Sequence, residues 1–210
     1  MPFGDTSLEM VVLTHPHLDH FGGLPTVLNR YAVKNILVTA ADNYAEQYGR
    51  WEQAVNDESA AMIYAQPEQE IKLTDNLKLK VLLPDNDGLI SKDLNDESIV
   101  ILVEFYGKKI LLTGDAGIEQ LEAIRNVDVD VLKVGHHGSR DSTDELILPK
   151  FKPEICVISV GRNNRYRHPH AEAINALKSF NCNTKRTDID GDVVWRADKN
   201  RNWQLITSGL

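Results

Sequence analysis

Short apolar runs of strand length, mixed along the whole chain with helix-patterned stretches, predict an α/β (α+β) fold of layered sheets with outer helices. Three observations carry this. Strand-type runs outnumber helical ones, the two kinds alternate through the second half, and several apolar runs end abruptly in Gly, His or Asp. A length of 210 residues with 42% hydrophobic and 26% charged content suits one globular domain, 1–210, around one sizeable core.

Residues 8–14 read as the first strand, and Gly22-Gly23 lead into a helix at 24–28 with Pro25 in its first turn. A short strand follows at 36–39. From 41 to 65 the residues are polar and helix-forming, with Tyr44, Tyr48, Trp51, Val55 and Met62 near the helical period as a packing stripe. Strands are expected at 71–83 and 99–105, separated by an acidic, turn-rich surface loop at 84–95. The run 109–113 pairs with 99–105 as a hairpin across Tyr106-Gly107-Lys108. The pattern then alternates: helix 118–126, strand 129–134, helix 143–150, strand 154–160, helix 171–180. Strands at 184–187, 193–197 and 203–207 close the chain around the turn Asp190-Gly191.

A net charge of −8 argues against a general nucleic-acid-binding surface, because non-specific affinity comes mainly from phosphate neutralisation by Lys and Arg. No stable nucleic-acid-binding surface is evident, and no aromatic stacking platform for long single strands. Cys156 and Cys182 form no CxxC pair, so neither a disulfide framework nor a thiolate zinc site is suggested. Cys156, inside Ile155-Cys156-Val157-Ile158, reads as a buried, inert thiol. There is no visible secretory signal and no window near the roughly 20 apolar residues of a membrane span, which makes the cytoplasm the default expectation.

The chemistry is concentrated in His15-Pro16-His17-Leu18-Asp19-His20, which follows the first strand directly. Imidazole nitrogens and carboxylate oxygens are what a divalent first-row metal takes from a protein. Three histidines and an aspartate in six residues exceed the needs of one tetrahedral ion with an open position, so two metals are expected. All seven histidines fall in three clusters: 15, 17 and 20; 136 and 137; 168 and 170. A lone histidine is more often structural than a ligand, but this clustering is not that case. Other apolar runs end in similar ligand loops: Leu111-Leu112-Thr113-Gly114-Asp115, then Val134-Gly135-His136-His137-Gly138-Ser139, then Asn164-Arg165-Tyr166-Arg167-His168-Pro169-His170. Asp115 suits a bridge between two cations, although it also stands where a helix cap would.

The order HxHxDH, TGD, GHHGS resembles the metallo-β-lactamase superfamily. The details THPHLDH, NDES-V, LLTGD, LKVGHHGS, ISVG-NRY-HPH and RTD-DG are similar to the C-terminal hydrolase domain of the competence protein ComEC and its stand-alone relatives. The resemblance runs from about Met10 to Val194. It implies an αβ/βα sandwich with a dinuclear site at one edge. His15 and His17 would hold the first metal, Asp19 and His20 the second, and Asp115 would bridge them. One of His136 and His137 would complete the second site while its neighbour contacts substrate or leaving group.

Two departures stand out. No histidine lies between His20 and His136, where the superfamily usually supplies a further first-site ligand; Ser98, or Asn95 with water, is the expected substitute, and the oxygen-rich shell tolerates Mn²⁺ as well as Zn²⁺. The chain also starts at the HxHxDH strand, so the sandwich is expected to lack its first N-terminal strands.

Two cations roughly 4 Å apart can hold a bridging hydroxide nucleophile and clamp both oxygens of an in-line displacement. Lys133, Arg140, Arg162, Arg165 and Arg167 fall in or beside the motifs, which favours a phosphodiester substrate. The resemblance adds DNA as that substrate and a role in DNA uptake. Asp19 would orient the nucleophile, Ser139 would donate to a phosphoryl oxygen, and His168 and His170 would ligate phosphate or start a helix at Pro169. The rival expectations are a hydrolase of a small ester, phosphoester, thioester or lactone, and a non-catalytic, truncated metal-binding remnant. A membrane partner is not encoded in the chain, and an extracytoplasmic site follows only if it joins a ComEC-like assembly; oligomeric state is not legible.

Overall fold

The computed structural model describes residues 4–84, 91–197 and 202–209. The first half contains β1 (Ser7–Leu8), β2 (Val11–Leu13), α1 (Leu18–Phe21), α2 (Leu24–Leu28), β3 (Ala32–Val33), β4 (Asn35–Val38), α3 (Tyr48–Asp57), β5 (Ala61–Tyr64), β6 (Glu70–Thr74) and β7 (Leu77–Leu83). The second contains β8 (Val100–Phe105), β9 (Lys108–Leu112), α4 (Ile118–Ala123), β10 (Val131–Lys133), α5 (Ile147–Phe151), β11 (Ile155–Ile158) and α6 (Ala171–Ser179). It ends with β12 (Asn183–Arg186), α7 (Thr187–Asp190), β13 (Val193–Ala197) and β14 (Trp203–Thr207).

Period-two side-chain alternation builds the layers. Along β8 the residues Val100 and Leu102 face one core, while Ile101 and Val103, with Ile99 just before the strand, face another. Along β4, Ile36 and Val38 pack under the first three helices and Leu37 packs against the other sheet. The middle core therefore lies between two sheets, and each sheet carries helices on its far side. That is the αβ/βα sandwich. The larger sheet runs β12-β11-β10-β9-β8-β7-β6, parallel from β12 to β9 and antiparallel from β9 to β6. The smaller is the parallel β2-β4-β5, and a β1-β3 pair and a β13-β14 hairpin stand apart from both.

The β8-β9 hairpin forms as its turn residues predict, with Ile101 opposite Leu112. Several expectations change. The stretch 71–83 is two strands, β6 and β7, because the Asp75-Asn76 turn folds it back, with the Asn76 amide donating to Thr74 Oγ1 at 3.2 Å. The helix expected over 41–65 is only α3; Ala61 to Tyr64 pair in parallel with β4 as a strand. Tyr48 and Trp51 are buried as the packing stripe requires, whereas Tyr44 is exposed outside the helix and Met62 lies on β5. Half of the loop expected at 84–95, residues 85–90, falls outside the described residues.

The thiol expectation is overturned. Cys156 and Cys182 form a disulfide with a Cα separation of 6.0 Å, inside the usual range. Parallel register places Cys156 opposite Thr184, which brings Cys182, two residues earlier, beside it. Both halves lie in the core between the large sheet and its helices. Among the described residues no helix is long and apolar enough to cross a membrane.

Candidate metal centre

The site lies where the ends of β2, β9, β10 and β11 meet. After β2 the backbone is held in place by the Ile99 amide, which donates to the Thr14 carbonyl at 2.9 Å. His15 is fully buried, with Nδ1 3.1 Å from Thr14 Oγ1 and 3.2 Å from Ser98 Oγ. Its Nε2 is 3.1 Å from His17 Nδ1. The chain then enters α1, whose single turn presents Asp19 and His20 back toward the strand ends. His20 Nε2 lies 3.1 Å from Asp115 Oδ2.

Asp115 reaches this point through Gly114, which has a φ of +55°. A Cβ there would sit 3.0 Å from Ser98 Cβ and 3.2 Å from Thr14 Cβ, so only glycine lets the two loops close. Ser98 Oγ accepts from the Asp115 amide at 3.0 Å and also touches His15, which makes it the link between the two ligand loops. Ser98 is wholly buried behind the ligands. Of the two expected substitutes for the missing histidine, Asn95 is the one that lines the pocket.

His136 and His137 differ in their surroundings. His137 Nδ1 lies 2.8 Å from the Ser159 carbonyl, which only accepts, so that nitrogen carries the proton. The Nε2 lone pair is thereby aimed at Asp19 and Asp115, whose Oδ2 atoms lie 3.5 Å and 3.7 Å away. His136 Nε2 is farther from Asp115, at 4.0 Å, and its ring faces the pocket. The Ser159 carbonyl carries no side-chain signature and could not be found from sequence.

Burial dominates the His15 ring and, with the neighbouring His20, lowers its pKa to about 3, keeping it a neutral ligand. Burial alone would raise the Asp115 carboxyl, but the hydrogen bond and charge of His20, with Lys133 and His137, hold it well below the usual carboxylate range. Lys133 Nζ donates to the Gly114 carbonyl at 3.0 Å and lies 3.9 Å from Asp115 Oδ1. It therefore sits beneath the cluster and is not an open phosphate contact. Burial lowers its pKa.

A cation fits these residues. Two nitrogens on one tetrahedral zinc at 2.0–2.1 Å would be roughly 3.3 Å apart, close to the 3.1 Å between His15 and His17. Asp115 Oδ1 and His137 Nε2 are buried acceptors with no hydrogen-bond partner, an arrangement that is costly unless something positive occupies the space between them. Two groups, His15-His20-Asp115 and Asp19-His20-His137, bring one ligand atom from each residue within 4.8 Å of the others. His20 belongs to both, where the resemblance had implied that Asp115 alone bridges.

The remaining predicted residues divide. His168 lines the same pocket of about 360 Å³, and its pKa is lowered by burial and by His170, His136 and His137. Ser139, expected to reach a phosphoryl oxygen, is 6% exposed and serves its own turn, its Oγ accepting from the Asp141 amide. His170 is the N-cap residue of α6; its Nδ1 accepts from the Arg140 amide at 3.1 Å, which ties two loops together. Arg162 donates to the Asp188 carbonyl, and of the five basic residues Arg165 alone lines the pocket. The RTD stretch is structural. Arg186 holds Asp188 through two nitrogens, and Thr187 Oγ1 takes the Val160 amide at 2.8 Å, anchoring the loop that carries Arg165 and His168.

The chain is 34% identical over 207 residues to "ComE operon protein 3" of Bacillus subtilis, covering 94% of this chain and 26% of that protein. It is 32% identical to "Recombination protein 2" of Haemophilus influenzae, covering 89% and 22%. It is 28% identical to "Competence protein ComA" of Neisseria gonorrhoeae, covering 90% and 25%. The chain thus spans about a quarter of the length of these relatives. Among solved structures, the metallo-beta-lactamase fold protein YhfI of Bacillus subtilis superposes with a TM-score of 0.56 at 12% identity, over 85% of this chain and 74% of that one. CmlA, a diiron beta-hydroxylase of Streptomyces venezuelae, also gives 0.56 at 14% identity, over 86% and 44%, so the shared fold does not by itself fix a reaction. The model of the metallo-beta-lactamase superfamily matches residues 3–162, a span that contains every residue of the ligand cluster, and the chain belongs to that superfamily.

Proposed function

We propose that the chain is a dinuclear metal-dependent hydrolase of phosphodiesters, a DNase-type nuclease using Zn²⁺ or Mn²⁺. The observation that carries this reading is the pair of buried acceptors without a hydrogen-bond partner, Asp115 Oδ1 and His137 Nε2, on residues that line a pocket together with Arg165. His15, His17 and Asp115 would hold one ion, and Asp19, His20, His137 and Asp115 the other. Bound there, the ions would supply a water of lowered pKa and neutralise charge on the phosphoryl oxygens. Arg165 offers a planar, permanently charged donor to a phosphate. His136, with its ring toward the pocket, would pass a proton to the leaving oxygen through Nε2.

Relatives named for competence and recombination support DNA as the substrate. The buried Cys156–Cys182 bond supports an oxidising, extracytoplasmic compartment over the cytoplasmic default. The test is cleavage of end-labelled single- and double-stranded DNA by metal-stripped protein with Mn²⁺ or Zn²⁺ restored, beside Asp115→Ala. Metal-dependent cleavage that vanishes in the variant is the expected result. Two bound ions without cleavage would move the reading to a small ester, and no bound ion would favour the remnant.

A further inference from the structure

The wall of the pocket facing away from the ligand cluster is aromatic. Tyr166 is 58% exposed, although its backbone is pinned: its carbonyl lies 3.2 Å from His170 Nε2. Its neighbours are held as firmly, since the His168 amide donates to Asn164 Oδ1 at 2.8 Å and Asn164 Nδ2 returns a bond to the His168 carbonyl at 2.8 Å. An anchored backbone thus displays a large ring to solvent. The rings form steps outward from the cluster. His137 and His168 are 19° from parallel at 6.4 Å, and His168 and Tyr166 25° from parallel at 5.8 Å. Parallel rings at such spacings are offset, and Tyr166 is the exposed one of the three. The Arg165 guanidinium lies 4.6 Å from the Tyr166 centroid and donates to its hydroxyl. Among the described residues Arg165 has no ion-pair partner. Leu18, 55% exposed at the start of α1, gives the same pocket an apolar side.

We propose that Tyr166 and Arg165 form a nucleobase-stacking subsite beside the position of the scissile phosphate. The chain then takes single-stranded nucleic acid, because a base inside a duplex has no free face to offer. The inference rests on the hydrolase reading above and runs against the expectation that no stacking platform exists. A ring and a guanidinium plane are the two surfaces on which unpaired bases stack, and the guanidinium supplies the charge for the adjoining phosphate.

The test compares wild type with Tyr166→Ala and Tyr166→Phe. Binding of a fluorescent single-stranded DNA is read by anisotropy on metal-stripped protein, and cleavage is read with Mn²⁺ restored. A matching strand of abasic sites and a duplex are run beside it. Tyr166→Ala should weaken binding of the base-bearing strand and raise its KM, each by about tenfold, with kcat unchanged and the abasic strand unaffected. Tyr166→Phe should stay near wild type. Equal losses on base-bearing and abasic strands, or no loss on either, would overturn the subsite. Cleavage that ignores Tyr166→Ala removes the subsite and keeps the nuclease. Base-dependent binding without any cleavage keeps the subsite and removes the nuclease.

Discussion

The inner and outer parts of the site differ in what holds them. His20 and His137 turn ring nitrogens toward Asp115 and the His15 ring packs on His20, and each is braced from behind: His15 by Ser98, His20 by Thr14, Asp115 by Ser98 and Lys133, His137 by the Ser159 carbonyl. Arg165, Tyr166 and His168 stand instead on one loop whose backbone is held by the Asn164 and His170 side chains. The difference teaches a division of labour. On the proposed function, the groups that would converge on an ion are fixed by burial and mutual contact, and those that would meet a substrate are presented on an anchored loop.

The largest effect should come from cutting the inner lattice. Asp115→Ala removes the carboxylate that the proposed function assigns to both ions. Its metal affinity should fall by more than the about 10–100-fold expected for an outer partner such as Ser98→Ala, as isothermal titration with Mn²⁺ would show. If both variants lose the same amount, Asp115 is not central. Next, His136→Ala should keep both ions yet slow cleavage by about 10²–10⁴-fold, whereas His137→Ala should lose metal. The reverse pattern would exchange their assignments.

Stability separates the two parts as well. Replacing Cys156 and Cys182 together by Ala should cost about 3 kcal/mol in urea unfolding while leaving metal affinity intact, since the bond crosses the core and not the site. Metal at 100 times its Kd should add about 2.7 kcal/mol to the wild type and much less to Asp115→Ala. The smallest effect belongs to the outer anchor. The Arg186 hydrogen bond holds the Asp188 carboxyl below its ordinary value of 3.8. A lowered value stabilises the fold above the ordinary range and is lost as pH falls through it. Asp188→Asn should therefore flatten the acid side of the stability profile by under about 1 kcal/mol.

The inner part was largely legible in the sequence because ligand chemistry admits few residue types and four of them stand within six positions. The layered fold was legible for the same kind of reason: alternation along β8 and the β8-β9 turn are local signals. What was hidden depends on distant pairing. The β11-β12 register makes the disulfide, a backbone carbonyl at Ser159 separates His137 from His136, and Ser98 reaches across 83 positions to His15. Tyr166 stood inside a candidate ligand loop with no role of its own, because exposure beside a pocket is not a property of its neighbours in sequence.

The central claim is that the inner cluster binds two divalent ions through Asp115. Metal content after equilibrium dialysis against Mn²⁺ or Zn²⁺, for wild type and Asp115→Ala, tests it most directly. The account predicts two ions per chain in the wild type and a loss in the variant. A wild type that retains none, or a variant that binds as well as its parent, would contradict it.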